Sequence, residues 1–142
     1  MEIPDVRRRV RAAIEQAKRD AAARRERSDA SARAYDEFLT TRAVPAFHQL
    51  AGALVGEGLR FKVSTPAGSV RLSDEGSPES FIELVLDPTD DPPVVLGRTN
   101  LGRGRRAITR ERPLRKTTPI ADVTQDDVIE FVLEEIPPFL ER

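Results

Sequence analysis

The sequence predicts an α+β fold: a long N-terminal helical region, an antiparallel sheet of about five strands, and a C-terminal helix packed on the sheet. Three patterns carry that expectation. Residues 5–33 are rich in Ala and Arg and contain no Gly or Pro. Residues 59–110 break into short apolar runs punctuated by Gly and Pro. Residues 124–140 return to apolar positions at helical spacing.

In the first section Pro4 suits the opening turn of a helix. Ile3, Val6, Val10, Ala13 or Ile14, Ala17 and Ala21 recur three and four residues apart, which places them on one stripe. Beyond Ala21 the stripe holds only Ala and Ser. So long and weakly apolar a helix buries little against its own domain. It is either a solvated arm or one member of an Ala-rich coiled pair. The division that follows is a helical arm over 1–34 and a single α+β domain over 35–142.

Stronger helical spacing resumes at Tyr35, Phe38 and Leu39 and runs through Phe47, Leu50 and Leu54. Pro45 interrupts it, which predicts a bend near Thr41 or a new helix from about Val44. Gly56 or Gly58 supplies a left-handed cap.

The sheet begins with "LRFKVST", where Leu59, Phe61 and Val63 alternate with polar residues. "PAG" turns the chain and "SVRLS" returns, making a hairpin. "FIELVL" is a third strand, followed by the acidic turn "DPTDDPP". "VVLGRT" is a fourth and "RRAITR" a fifth, with "NLGRG" between them as a glycine turn. Connections this short favour antiparallel neighbours. In the last section Thr124 and Asp127 have the spacing of a capping box. Val128, Ile129, Val132, Leu133, Ile136, Phe139 and Leu140 form an apolar face to cover the sheet, and Pro137 and Pro138 kink or stop the helix.

Composition narrows the chemistry. The 142 residues suit one domain, and a hydrophobic fraction of 39% supports a modest core. With no cysteine, disulfides, thiolate catalysis and Cys-ligated zinc are excluded. No run approaches the roughly 18 apolar residues of a membrane span. The N-terminal stretch lacks the apolar core of a secretory signal, and Glu2, Asp5 and Glu15 argue against a transit peptide. A cytoplasmic protein is the expectation.

The formal net charge is -1, but the charges are segregated. Residues 1–33 carry ten basic and six acidic side chains, and residues 98–116 carry eight basic and one acidic. Residues 69–97 and 120–142 each hold seven acids and one Arg. Such separated charges attract one another, within a fold or between copies, before they attract anything else.

The most distinctive segment is Val94–Arg112, with Arg98, Arg103, Arg105, Arg106, Arg110 and Arg112 against the single acid Glu111. Three uses compete for it. It is a solvated edge whose charges deter sheet-to-sheet association. Alternatively Arg98, Arg105 and Arg106 pair with acids of the closing helix or of another subunit. The third use is contact with a polyanion, for which the guanidinium fork is suited. Gly97, Gly102 and Gly104 fit neither phosphate-loop spacing, and no helix follows them.

The basic N-terminal helix supports a nucleic-acid alternative, although no zinc-finger, helix-turn-helix or aromatic stacking signature accompanies it. His48, the only histidine, has no sequence partner for catalysis and reads as a surface or boundary residue. The turn acids Asp87, Asp90 and Asp91 lack the glycine and terminal Glu of a calcium loop. The sequence therefore assigns no catalytic residue, no metal and no cofactor.

Its lead function is a non-enzymatic interaction or assembly module, homodimeric through Val6, Val10, Ile14, Ala17 and Ala21. On that expectation, removing residues 1–30 leaves a folded monomer. A heterologous protein partner is compatible with it. A nucleic-acid-associated protein is the first alternative, and a small enzyme without a recognisable motif the second.

Overall fold

The computed structural model describes residues 2–141. Helix α1 spans Ile3–Phe38, and its 36 residues make a rod about 54 Å long at ~1.5 Å per residue. Only Tyr35 and Phe38, at its far end, are buried. Leu39–Ala43 then form one π turn, and helix α2 continues over Val44–Gly56.

Pro45 accounts for the widened turn. Proline has no N–H, and its ring collides with the carbonyl four residues back in a regular α-helix. Here the Val44 N–H bonds the Leu39 carbonyl, five residues back, so the extra residue rephases the ladder. The Thr40 and Thr41 hydroxyls donate to the carbonyls of Asp36 and Glu37 at 3.0 and 2.7 Å. The expected bend or fresh start is resolved as this turn: the chain stays helical from Ile3 to Gly56. Gly58, at φ +83°, takes the left-handed conformation beyond the end.

The sheet is a five-stranded antiparallel meander in chain order. Its strands are β1 (Phe61–Ser64), β2 (Ser69–Asp74), β3 (Ser77–Asp87), β4 (Val94–Arg103) and β5 (Arg106–Pro113). The β4–β5 hairpin is longer than the sequence spacing implied. Its turn is Gly104–Arg105 alone, with Gly104 at φ +60°. Gly102 lies inside β4, paired with Ala107, rather than in the turn.

Helix α3 covers Gln125–Glu135, and α4 is the single turn Pro137–Leu140 after the double proline. The expected capping box is present. The Asp127 N–H donates to Thr124 Oγ1 at 3.1 Å, and the Thr124 N–H donates to Asp127 Oδ2 at 2.9 Å.

Val70, Leu72, Ile82, Leu84 and Val95 line one face of the sheet. The end of α1 (Tyr35, Phe38), α2 (Phe47, Leu50) and α3–α4 (Val128, Phe131, Val132, Phe139) pack with them in one core, giving a two-layer α+β domain. Arg42, at the π turn, fastens the segment ahead of α3 by donating to the carbonyls of Ala121 and Val123, both at 2.8 Å. The opposite sheet face carries a charged row across four strands. Arg71 stands opposite Glu83, Glu83 opposite Arg98, and Arg98 opposite Glu111.

Candidate functional site

Two features stand out from this body: the overhanging half of α1 and the basic β4–β5 hairpin. The stripe that ends in the buried Tyr35 and Phe38 begins at Ile3 and passes Val10, Ile14, Ala17, Ala21, Ser28 and Ser31 in steps of three, four and seven. Its first apolar members are exposed. Ile3 is 72% exposed, Val6 43%, Val10 52% and Ile14 50%. Ala17 is exposed and Ala21 half-buried. Arg7, Arg11 and Lys18 border the stripe without an acidic partner among the described residues.

The body first reaches α1 through the β3–β4 loop. Asp91 accepts a two-pronged hydrogen bond from Arg27, at 3.1 Å to Nε and 2.8 Å to Nη2. That bond holds the Asp91 carboxyl below its usual range. Asp87 is lowered too, chiefly by the Thr89 hydroxyl that donates to it at 2.6 Å. The loop stands over the helix stripe. Ala21, Arg24, Arg25 and Ser28 on one side and Pro88–Asp91 with Pro93 on the other line an open notch of about 390 Å³. Asp90 is exposed there, with no ion-pair partner among the described residues. By sequence alone this loop is an acidic, Pro-rich turn. Only the tertiary fold places it against the arm.

The arginines of the hairpin divide between two surfaces. Arg98 faces the open side of the sheet and pairs with Glu111 at 3.0 Å, the acid of its own hairpin rather than one of the closing helix. Arg112 faces the helical layer. It lies 4.4 Å over the Phe131 ring, and it reaches Glu134 at 2.8 Å and Glu135 at 2.5 Å. Arg115, outside the hairpin, meets Asp127 at 2.9 Å, and Arg103 stands 4.0 Å from Glu141. Arg105, Arg106 and Arg110 are exposed and have no acidic partner among the described residues. The structure thus takes Arg98, Arg112 and, at longer range, Arg103 into ion pairs, and leaves Arg105 and Arg106 at the hairpin tip and Arg110 in mid-β5 open.

Beside Arg98, the Glu83 carboxylate is nearly fully buried, with a side-chain exposure of 6%, and Arg71 holds it at 2.7 Å. Arg71 lies 4.0 Å over the Phe81 ring. Arg71 with Glu83 and Arg98 with Glu111 are each engaged across neighbouring strands, so the row serves as cross-strand support. His48 is exposed on α2. Among the described residues no three metal-ligating side chains converge, and no helix is long and apolar enough to cross a membrane. No family model, curated protein or solved structure matches the chain.

Proposed function

We propose that this protein is a non-enzymatic assembly module that forms a homodimer through its helical arm, with the cytoplasm as its setting. One observation carries the proposal. The apolar stripe of α1 continues about 27 Å past the body, and its largest members, Ile3, Val6, Val10 and Ile14, are left open to solvent. A second copy buries that stripe at no cost to the fold of either body. Sedimentation velocity over a rising concentration series tests this. The expected outcome is a dimer that Val10→Asp or Ile14→Asp weakens at least about tenfold while far-UV ellipticity of the body is retained. A monomer at every concentration defeats the proposal.

A nucleic-acid role is the second reading, favoured by the exposed Arg105 and Arg106 at the hairpin tip and Arg110 farther along β5. On that reading mixed-sequence RNA or DNA binds with an affinity that falls steeply with salt. An absence of binding at low salt removes it.

A further inference from the structure

We infer that the two arms of the dimer run antiparallel, each ending in the notch between the other copy's α1 and its β3–β4 loop. This rests on the homodimer proposed above and adds direction, register and a second contact to it.

The loop decides the direction. Pro88–Asp91 stands over the stripe at Ala21–Ser28, on the side of α1 that also carries Val10 and Ile14. Packed helices lie about 8–10 Å apart. In a parallel pair both loops would have to occupy that one narrow space. In an antiparallel pair each loop lies past the tip of the other arm, so neither obstructs the other.

The same loop sets the register. An arm sliding along the stripe halts when Ile3 comes opposite Ala21, and Val10 is then opposite Ile14. The residues along the stripe fit this placement. The bulky members Ile3, Val6, Val10 and Ile14 occupy its first half, and Ala17 and Ala21 its second. Antiparallel pairing sets Ile3 against Ala21 and Val6 beside Ala17. Parallel pairing would stack large on large at one end and leave Ala against Ala at the other.

Charge complements the ends. Helical side chains lean toward the N-terminus of their own helix, so Arg7 and Arg9 reach back toward the tip, while Arg8 is held by Asp5 at 3.1 Å. There Arg7 and Arg9 meet the loop of the other copy, where Asp90 has no ion-pair partner among the described residues and Arg24 and Arg25 line the opposite wall of the notch. Arg7 also comes beside Lys18 of the other copy, a like-charge pair specific to this register.

The chain has no cysteine, so introduced thiols report contacts cleanly. Full-length Val10→Cys and Ile14→Cys chains are mixed under mild oxidation. The expected product is the Val10–Ile14 heterodisulfide, in several-fold excess over either homodisulfide. Lys18→Glu should tighten the dimer about threefold by converting the like-charge pair. Asp90→Lys should weaken it by a similar factor. A dimer giving only Val10–Val10 and Ile14–Ile14 products overturns the antiparallel arrangement and leaves the homodimer standing. A dimer indifferent to both charge changes overturns the register. A monomer throughout removes the homodimer itself.

Discussion

The ring of Phe131 lies where a side chain on Gly97 would project. The three atoms nearest to where a Cβ would sit all belong to this ring, at well under van der Waals separation. Gly97 is in the middle of β4, a position where glycine ordinarily weakens a strand. Here it lets α3 approach the sheet closely enough to bury Phe131, which is 3% exposed. Gly97→Ala is expected to destabilise the domain by about 1–3 kcal/mol through overpacking. Phe131→Leu alone also destabilises, by opening space. The double variant should lose less than the sum of the two, because the leucine admits the new methyl. Urea denaturation of the four proteins checks this, and additive losses would disprove the contact.

Arg112 extends the same contact by covering the Phe131 ring while it binds Glu134 and Glu135. Its side chain is 38% exposed, so solvent weakens the ion pairs, and the stacking carries part of the effect. Arg112→Ala should cost about 1–2 kcal/mol. Arg105→Ala and Arg106→Ala touch no partner and should stay within about 0.5 kcal/mol of the parent. Shifts in denaturation midpoint across the three variants separate the arginine that holds α3 from those free at the hairpin tip.

What the sequence made legible was local. Thr124 and Asp127 are three residues apart, and their capping box needs only a helix start. The alternation of Leu59, Phe61 and Val63 announces a strand. What it missed depends on register and on contacts from distant parts of the chain. Gly102 looks like a turn glycine by its neighbours, yet it pairs with Ala107 inside β4, and the Glu79 side chain crosses above it. Arg98 finds Glu111 because β4–β5 register sets them opposite, and Arg112 finds α3 because α3 packs over Gly97. Neither choice is written in spacing along the chain. The exposed stripe of α1 was legible as a stripe. The loop that blocks its far end was not, since Arg27 and Asp91 are 64 residues apart.

The capping box predicts an acid limit for α3. The Thr124 N–H donates to Asp127 and lowers its pKa below the usual 3.8, with Arg115 adding to the effect. A carboxylate with a depressed pKa stabilises the fold fully above its unfolded value. It loses that contribution as pH falls through the folded value. Asp127→Asn should therefore flatten the decline of stability below about pH 4 while lowering stability at neutral pH. Thr124→Ala should cost about 1 kcal/mol at neutral pH. Thermal melts of the parent and both variants between pH 2.5 and 7 test the sign. An unchanged acid slope in Asp127→Asn would disprove it.

Tyr35 offers a second titration with the opposite sign. It is the only tyrosine and the chain has no tryptophan, so phenolate absorbance reports on it alone. Its hydroxyl donates to the Gly68 carbonyl at 2.6 Å, joining α1 to the β1–β2 turn. Burial raises its pKa above the ordinary 10.0, and the nearby Glu83 charge pushes the same way. An acid whose folded pKa is raised leaves stability intact below the unfolded value. Stability then falls as pH climbs past about 10, because the unfolded chain ionises first. The native protein should show no phenolate near pH 10, with the band appearing together with alkaline unfolding. Tyr35→Phe removes the ionisation and should hold its stability better above pH 10. At neutral pH it should be weaker by about 1 kcal/mol, since the Gly68 carbonyl loses its donor. A phenolate band that rises at pH 10 with the fold intact would show Tyr35 to be accessible, and would undo the contact that anchors the end of α1.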